Sequence, residues 1–282
     1  MDIAVKEVAY PAPAKLNLFL HVVGRRPDGY HLLQSVFRFL DYGDSLHFKP
    51  RQDGRVMRTT ALAGVPEEKD LVVRAARLLQ EKTGCTSGVE ISMEKRLPMG
   101  GGLGGGSSDA ATTLLALNRL WNLNLPRAEL QRLGLQLGAD VPVFVFGESA
   151  FAEGVGELLQ PVKLSPAWYV VIVPPVAVAT AEIFAAPELT RNTTSIKIRD
   201  LLTAELRNDL QTVVCRRYPK VAECLDWLGQ YGEARMTGSG ACVFAEFDAE
   251  DEANRVLAHK PAEWQGFAAR GLDRHPLWDY AD

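Results

Sequence analysis

The chain has 282 residues, of which 47% are hydrophobic and 23% are charged, and its formal net charge is −4 at pH 7. This composition is typical of a soluble globular protein that is long enough for one large domain or two ordinary ones. An acidic balance without any basic block argues against a nucleic-acid-binding protein. The sequence has no apolar run of about 18 residues or more, so we expect no membrane-spanning helix.

The N-terminal segment and the cysteines indicate the compartment. Residues 1–7 lack the basic start and apolar core of a signal peptide. Cys85, Cys215, Cys224 and Cys242 show neither a Cys-x-x-Cys motif nor zinc-ligand spacing, and the five histidines are scattered. We therefore expect free thiols in a reducing cytoplasm and no metal cluster.

The first predicted element is a half-buried strand over 15–22, in which apolar residues alternate with a polar face that carries Lys15 and Asn17. Taken alone, Lys15 is most simply a solvated lysine at the end of a strand. Tyr30 and His31 follow an Arg-Arg-Pro-Asp-Gly turn. The next predicted elements are strands over 35–40 and 45–48, a hairpin turn at Asp53-Gly54, and a helix over 70–82 with Asp70 as its N-cap.

A glycine-rich segment, Leu97–Ser108, connects a predicted strand over 89–95 to a predicted helix over 107–121. Six of the chain's 24 glycines lie within residues 100–106. Because glycine loses the most backbone entropy on ordering, such a cluster needs a reason, and a backbone that closely approaches a ligand supplies one. Unshielded N–H groups at a helix N-terminus bind anions, usually phosphate. The segment therefore predicts a phosphate-binding loop rather than a flexible linker.

The two serines that end this segment, Ser107 and Ser108, could cap the helix and offer hydroxyls to phosphate or to a metal. No lysine precedes them, so the segment is not a P-loop. Gly100-x-Gly102-x-x-Gly105 matches the dinucleotide fingerprint as a string, but the acidic strand end that this fingerprint requires about 20 residues later is replaced by a helical pattern. A protein-kinase glycine loop would continue into a strand, and this one enters a helix.

Asp140 stands alone in the apolar segment 137–144, after a predicted helix over 126–137. A carboxylate in such a setting must be partnered or functional. The alternative is an N-cap for a short following helix, and the local sequence does not decide between the two.

The rest of the chain mixes short strands and helices, which suits a ferredoxin-like α+β layer in the second half. The predicted elements are a strand pair around Gly154, a hinge over 161–166, a buried strand over 168–173, a helix that begins at Thr180, helices over 208–217, 221–231 and 251–259, a strand–turn–strand over 234–246, and a last strand over 266–272.

Five separated segments resemble one family, the GHMP small-molecule kinases. They are Pro13-Ala-Lys-Leu-Asn-Leu18, Arg26-Pro-Asp-Gly-Tyr-His31, the glycine-rich segment, Leu137-Gly-Ala-Asp-Val-Pro142 and Thr237-Gly-Ser-Gly-Ala-Cys242. The resemblance implies an α+β, two-domain fold with the active site in the cleft between the domains. Residues 1–162 would form the N-terminal ATP-binding and catalytic domain, which is ribosomal-protein-S5-domain-2-like, and residues 163–282 the ferredoxin-like C-terminal substrate-binding domain.

The Ala-Lys-Leu-Asn and Pro-Asp-Gly-Tyr-His segments narrow the resemblance to the members that act on 4-diphosphocytidyl-2-C-methyl-D-erythritol. These members transfer the γ-phosphate of ATP to the 2-hydroxyl of that substrate, giving the 2-phosphate and ADP in the non-mevalonate isoprenoid pathway. By position, Asp140 matches the family's catalytic aspartate, which orients the hydroxyl and accepts its proton. Lys15 matches the catalytic lysine, whose ammonium stabilises the charge that builds on the oxygen and the γ-phosphate.

The resemblance also implies an ATP site, with the glycine-rich segment holding the triphosphate through its backbone N–H groups. It implies Mg²⁺ between the phosphates, with Ser107 as one candidate ligand and the other ligands unknown. Asp70 stands where the family often has an asparagine near the adenine, so no adenine contact is assigned. The implied ATP-binding residues are Pro98, Met99, Gly100, Gly101, Gly102, Leu103, Gly104, Gly105, Gly106, Ser107 and Ser108, and Thr237, Gly238, Ser239 and Gly240 would close the phosphate side from the second domain.

For the second substrate, Tyr30 and Phe184 match residues that sandwich a cytosine ring in similar enzymes. His31 would bind the cytosine edge by hydrogen bonds, Asn17 would contact the erythritol hydroxyls, and Thr180 belongs to the same site. From the residues alone, core packing is the alternative for Phe184, and a turn at a sheet edge is the alternative for Asn17.

Two other functions stay open. Another GHMP kinase, such as a mevalonate or homoserine kinase, has no cytosine to stack, so Tyr30, His31 and Phe184 argue against it. A non-catalytic nucleotide-binding member is disfavoured because Lys15 and Asp140 are both retained. The missing acidic strand end disfavours an NAD-dependent oxidoreductase. No feature demands an obligate interface, so we expect a cytoplasmic monomer or weak homodimer.

Overall fold

The computed structural model describes residues 8–201 and 203–282, so the N-terminal segment 1–7, which we expect not to be a signal peptide, lies outside the described residues. The first half is built around β2 (His31–Arg51), a 21-residue strand. The predicted strands over 35–40 and 45–48 are therefore parts of one continuous strand. Its antiparallel neighbours are β1 (Tyr10–Arg25), β4 (Gly88–Glu94) and β5 (Ala150–Glu153), while β6 (Leu158–Pro161) pairs with β5 and β3 (Val56–Arg58) runs parallel to β4.

β1 differs from its prediction, because the strand is buried on both faces rather than half-buried. Lys15, Asn17 and His21, on the predicted polar face, are only 2%, 4% and 2% exposed. One face of β1 packs towards the helices of the first half, and the other is covered by the second half of the chain. The interpretation of Lys15 as a solvated lysine is therefore wrong.

The predicted hairpin at Asp53-Gly54 is also wrong. The chain does turn there, with Gly54 at φ +71°, but the strand that follows does not pair with β2. The edge of β2 at Arg51 is already taken by Gly88 of β4, so β3 joins the sheet on the far side of β4. The turn residues predict that the chain reverses here, but they do not determine which strand pairs with the strand that follows.

Four helices cover one face of this sheet and enclose the largest apolar core. In α1 (Leu71–Thr83), Asp70 accepts a hydrogen bond from the N–H of Val72, which confirms Asp70 as the N-cap. In α2 (Gly105–Leu120), every residue from Ser108 to Asn118 is buried, because this helix runs through the middle of the core. The other two helices are α3 (Arg127–Leu137) and α4 (Val141–Phe146).

The second half has the predicted ferredoxin-like arrangement. Its four strands are β7 (Trp168–Val173), β8 (Arg235–Met236), β9 (Val243–Phe247) and β10 (Gln265–Leu272), all antiparallel in the order β10-β7-β9-β8. Its helices are α5 (Thr180–Ala185), α6 (Gln211–Arg217), α7 (Pro219–Leu228) and α8 (Glu250–Ala258). Within residues 8–201 and 203–282, no helix has the length and hydropathy to cross a membrane.

The two halves share one sheet, because β10 also pairs with β2 at Phe39 and Leu40. Arg38 lies at this junction and is only 1% exposed. Its guanidinium donates to the Asp273 carboxylate at 2.7 Å and to the Gly271 carbonyl at 3.1 Å. A buried charge needs such partners, so Arg38 ties the final segment of the chain to the central strand.

Acid should destabilise this fold through His275, which is fully buried and whose Nδ1 accepts from the N–H of Leu277 at 3.0 Å. Burial, reinforced by Arg127, lowers the pKa of His275 from 6.5 to about 3. Between these values the unfolded chain binds a proton that the folded chain does not. The free energy of unfolding should therefore fall by about 1.4 kcal/mol for each pH unit of acidification.

His275→Asn retains an acceptor for the N–H of Leu277 but does not titrate. Urea unfolding at several pH values between 4 and 6.5 should show a steeper loss of stability in the wild type than in this variant. Equal slopes would contradict the assignment.

Candidate active site

A cleft of about 1000 Å³ lies between the two halves of the chain, at the upper end of the size range of ligand sites. Leu103, Ser108 and Thr237 are buried behind its wall. The other predicted site residues all line it: Lys15, Asn17, Tyr30, His31, Pro98, Met99, Gly100, Gly101, Gly102, Gly104, Gly105, Gly106, Ser107, Asp140, Thr180, Phe184, Gly238, Ser239 and Gly240.

The glycine-rich segment needs glycine partly for its backbone conformation. Gly100, Gly102 and Gly104 have φ values of +70°, +76° and +74°, in the left-handed region that other residues rarely adopt. This alternation turns the chain out of β4 and into α2 within a few residues. It also leaves a wall without side chains along the cleft.

Two of the glycines are required by the second half of the chain. A Cβ at Gly102 would lie 2.2 Å from the Thr237 carbonyl oxygen, and one at Gly101 would lie 2.8 Å from Cys242 Sγ. The Cys242 N–H donates to the Gly101 carbonyl at 3.1 Å. Close approach of a ligand is therefore only part of the reason why glycines are concentrated in this segment. At Gly106, by contrast, the nearest atom to a Cβ would be Leu71 Cδ1 at 3.6 Å.

α2 begins at Gly105, two residues earlier than predicted, with Gly104 at the N-cap position and no side-chain cap. The serines therefore lie inside the first turn, and their predicted capping role is wrong. Ser107 faces the cleft. Ser108 is fully buried, donates its hydroxyl to the Pro13 carbonyl at 2.7 Å and its N–H to Gly104, so both donors point away from the cleft. The first N–H groups of a helix have no acceptor within it, and here they adjoin the cleft.

Lys15 is held by oxygens from three separate parts of the chain. Its Nζ lies 2.6 Å from Asn17 Oδ1, 3.0 Å from the Gly102 carbonyl and 3.3 Å from Asp140 Oδ2. An ammonium has three N–H donors, so these three contacts use all of them. The ammonium also lies 5.5 Å from the centre of the Phe37 ring. The strand, the glycine-rich segment and Asp140 therefore meet at one buried cation.

Asn17 connects this cation to the sheet and to the second half. Its Nδ2 donates to Ser35 Oγ at 2.8 Å, and Ser35 donates to the Phe19 carbonyl at 2.6 Å. The N–H of Asn17 donates to Thr237 Oγ1 at 2.9 Å. Asn17 lies inside a strand, so the alternative of a turn residue at a sheet edge is wrong. Its amide oxygen is directed to Lys15.

Asp140 occupies the N-cap position of α4, but its side chain makes no capping hydrogen bond. The side chain is 39% exposed, so the carboxylate is not buried as its apolar surroundings suggested. Val141 and Val143 of the same helix are buried, so they fix the orientation of α4 and of Asp140 at its start. One carboxylate oxygen contacts Lys15, and the group opens onto the cleft.

The predicted pyrimidine-binding residues gather at another part of the cleft. The rings of His31 and Phe184 lie 5.0 Å apart at 34°, and Tyr30 is 63% exposed. Thr180 and Ser239 hydroxyls lie 2.7 Å apart, which joins α5 to the turn after β8. Phe184 also packs against the core of the second half, as the alternative of core packing predicted, and its stacking on a cytosine ring stays a prediction.

The sequence did not predict Arg191 as a site residue, because it lies in a segment without periodicity or a motif. Its Nε donates to His31 Nε2 at 3.0 Å, and its other nitrogens donate to backbone carbonyls around the end of α5. Burial and the charges of Arg191 and Arg25 lower the pKa of His31. The imidazole is thus held neutral at the cleft.

The sequence also did not predict a buried cluster of charged side chains beside the glycine-rich segment. Lys95 pairs with Asp44 and lies 2.6 Å from Asp109 Oδ2. Asp44 accepts from the N–H groups of Arg96 and Leu97 at 2.6 and 2.8 Å, which anchors the start of the segment. Burial, together with Asp44 and against Lys95, raises the pKa of Asp109 to about 7. The Asp109 carboxyl therefore binds a proton more readily than an ordinary aspartate.

Asp70 is committed to the fold. One carboxylate oxygen accepts from Val72, and the other pairs with Arg58 inside the protein. Asp70 still borders the cleft, beside the apolar side chains of Leu62, Val65 and Leu71.

Among the described residues, no group of three or more His, Cys, Asp or Glu side chains is placed to hold a metal ion. This arrangement fits a Mg²⁺ that arrives on a nucleotide, since Mg²⁺ retains several waters and needs only one or two protein oxygens besides phosphate. The oxygen-bearing side chains that line the cleft include those of Ser107, Asp109 and Asp140.

Family models match both halves of the chain. The model of the GHMP kinases N terminal domain matches residues 70–148, and that of the GHMP kinases C terminal matches residues 188–264. A solved structure of a mevalonate kinase from Methanococcus jannaschii shares 16% sequence identity with a TM-score of 0.68, covering 95% of this chain and 99% of the other, and supports the fold alone.

Several more similar proteins are 4-diphosphocytidyl-2-C-methyl-D-erythritol kinases. One from Thiobacillus denitrificans is 66% identical over 96% of this chain and 98% of its own length, and one from Aromatoleum aromaticum is 63% identical over 95% and 94%. The crystal structure of a 4-(cytidine 5'-diphospho)-2C-methyl-D-erythritol kinase is 34% identical with a TM-score of 0.81, over 94% of this chain and 99% of the other. The chain therefore belongs to the GHMP kinases and, within them, to the family of 4-diphosphocytidyl-2-C-methyl-D-erythritol kinases.

Proposed function

We propose that this protein transfers the γ-phosphoryl group of ATP to the 2-hydroxyl of 4-diphosphocytidyl-2-C-methyl-D-erythritol, giving the 2-phosphate and ADP in the methylerythritol phosphate route to isoprenoids. The observation that carries the proposal is the ion pair of Lys15 and Asp140, at 3.3 Å, in the same cleft as the glycine-rich segment and the aromatic group of Tyr30 and Phe184. A kinase needs the two substrates to meet at such a pair.

The triphosphate lies against residues 98–108 in this proposal. The N–H groups of Gly105, Gly106 and Ser107 begin α2, and the positive end of the helix dipole favours phosphate oxygens there. Leu103 and Ser108 support the segment from behind, while the exposed Met99 covers its edge. The apolar slot beside Leu62, Val65 and Leu71 suits a purine ring.

Mg²⁺ accompanies the nucleotide, and Ser107 is the side chain that would contribute an oxygen to it. When bound, the ion neutralises charge on the phosphate oxygens. The residues that close the phosphate side from the second half are Thr237, Gly238, Ser239 and Gly240.

Asp140 orients the attacking hydroxyl and accepts its proton. Because one of its oxygens faces Lys15, the other is available to the substrate. Lys15 offsets the charge of this carboxylate and stabilises charge on the transferring group. All three of its N–H donors are already engaged, so a phosphate oxygen would have to replace one of the present acceptors, or share its hydrogen.

The cytidyl group lies between Tyr30 and Phe184, with His31 at its edge. Tyr30 sits on the turn after β1 and is free to cover a ring, whereas Phe184 is anchored in α5. Thr180 and Asn17 border the space between this group and Asp140, where the erythritol would lie. The orientation of the Asn17 amide towards Lys15 leaves its contact with the sugar hydroxyls as a prediction.

The catalytic domain comprises residues 1–162 and the substrate-binding domain residues 163–282, although the sheet is continuous between them. The protein works in the cytoplasm, as a monomer or a weak homodimer.

A coupled ADP-release assay with ATP and Mg²⁺ tests the function. We expect release with 4-diphosphocytidyl-2-C-methyl-D-erythritol and none with mevalonate or homoserine. Release with another alcohol would keep the kinase and reject the pyrimidine site. ATP binding without release from any of the three would favour a non-catalytic nucleotide-binding protein.

Asp140→Asn should slow turnover by about a hundredfold or more, because the amide cannot accept the hydroxyl proton. ATP affinity should stay within severalfold of the wild type, since Asp140 does not belong to the segment that holds the triphosphate. Turnover and nucleotide titrations would check both. Asp251→Asn, on the exposed surface of α8, is the matched control. Near-normal turnover of Asp140→Asn would remove Asp140 from the chemistry.

Gly106→Val should weaken ATP binding by about tenfold or more through steric exclusion. The site tolerates a Cβ within the protein, since the nearest atom would be 3.6 Å away, and Gly106 lines the cleft. Gly104→Val would be a poorer test, because its Cβ would meet Phe144 and Lys15 at 2.9 and 3.1 Å. Gly106→Ala is the smaller control and should have a weaker effect. Unchanged ATP affinity in Gly106→Val, with a normal melting temperature, would contradict the triphosphate position.

A further inference from the structure

The Arg191 guanidinium joins His31 to the end of α5. Its Nε donates to His31 Nε2 at 3.0 Å. One terminal nitrogen donates to the carbonyls of Phe184 and Ala186 at 2.8 and 2.7 Å, and the other donates to the Leu189 carbonyl at 3.0 Å. Four of its five N–H groups are thus engaged, so the planar group is held in one orientation.

The bond to Nε2 determines which ring nitrogen of His31 bears the proton. An arginine guanidinium donates and cannot accept, so Nε2 must offer its lone pair. The proton of the neutral ring is therefore on Nδ1, which makes Nδ1 the donor of this imidazole. Among residues 8–201 and 203–282, no side chain or backbone group forms a hydrogen bond to that nitrogen.

The same guanidinium sets the position of the ring. The Phe184 carbonyl that Arg191 binds belongs to the residue whose side chain lies 5.0 Å from the imidazole. Arg191 thus holds two side chains in one unit: His31, which would donate to the edge of the base, and Phe184, which would stack on its face. His31 comes from β2 in the first half and Phe184 from α5 in the second, so this unit also spans the cleft.

We propose that Arg191 is a positioning residue that fixes the Nδ1–H form of His31 and thereby selects cytosine over uracil in the second substrate. This inference rests on the proposed function for the identity of that substrate. Cytosine N3 carries a lone pair and accepts from Nδ1–H. Uracil N3 carries a hydrogen, so the same donor would meet a donor and leave both unpaired where the stacked base is shielded from water.

The first measurement is the tautomer of His31 in the free protein, by long-range ¹H–¹⁵N correlation on ¹⁵N-histidine-labelled wild type and Arg191→Met. We expect the proton on Nδ1 in the wild type and a mixture of both tautomers in the variant. A wild-type His31 with its proton on Nε2 would overturn the inference. This measurement needs no substrate, so it stands even if the proposed function fails.

The second measurement is kcat/KM for the cytidyl substrate and for its uridyl analogue, in the same two proteins. Arg191→Met should lower the cytidyl-to-uridyl ratio by about tenfold or more, because the freed ring can also accept from uracil N3. The change should appear in KM, with kcat nearly unaltered, since the hydrogen bonds of Arg191 go to His31 and to the carbonyls of Phe184, Ala186 and Leu189, and not to the glycine-rich segment, Lys15 or Asp140. A purely structural role would weaken both substrates equally, and an unchanged ratio would overturn the inference.

Arg217→Met is the matched control. Arg217 binds the same region of the chain, through the Glu188 carboxylate and the Glu182 carbonyl, without contacting His31. Its ratio should equal that of the wild type. A wild type that turns over neither pyrimidine substrate would refute the proposed function, and the tautomer measurement alone would then decide the role of Arg191.

Discussion

The site depends on one buried ammonium, that of Lys15. Three oxygens hold it, from Asn17 beside it on β1, from Gly102 in the glycine-rich segment, and from Asp140 before α4. A charge removed from water requires partners of this kind, so the three parts of the chain are fixed relative to one another by the same constraint. The distance between Lys15 and Asp140 is therefore a consequence of how the cation is accommodated in the fold.

The glycine-rich segment satisfies two requirements at once. On one side it presents helix N–H groups and a bare backbone to the cleft. On the other side it receives the turn after β8, which lies so close that side chains at Gly101 or Gly102 would collide with Cys242 and Thr237. Thr237 also accepts from the N–H of Asn17, next to the residues that hold Lys15. The glycine-rich segment and the surroundings of Lys15 are thus supported from the second half of the chain, which explains why the cleft needs both halves.

Much of the fold follows from the sequence where the pattern is local. The N-cap at Asp70, the strand at 168–173 and the elements of the ferredoxin-like second half follow from capping, from short apolar runs and from periodicity, which are patterns of a few residues. Lys15 and Asp140 were candidates because segments around them resemble a known family. The burial of Lys15 was not predictable, since alternation cannot reveal that the glycine-rich segment and Asp140 approach the polar face of β1. The partner of β3 was missed for a similar reason, because strand pairing is decided by competition for sheet edges.

Arg191, Asp44 and Asp109 show a different limit. Each acts through a partner that is remote in the sequence, and none stands in a motif that fixes its role. Arg191 reaches His31 from a segment without periodicity, and Asp44 anchors backbone N–H groups in the stretch that leads into the glycine-rich segment. Such residues are found only when the side chains are placed in space. They position groups that line the cleft, His31 in the case of Arg191 and the start of the glycine-rich segment in the case of Asp44.

The central claim is that the Lys15 ammonium supports phosphoryl transfer. Single-turnover transfer to the cytidyl substrate in Lys15→Met tests it most directly, because methionine retains the buried stem and removes the three donors. We predict that transfer slows by about a hundredfold or more, while the variant remains folded and binds ATP within about tenfold of the wild type. Transfer at nearly the wild-type rate in a folded, ATP-bound variant would contradict the account.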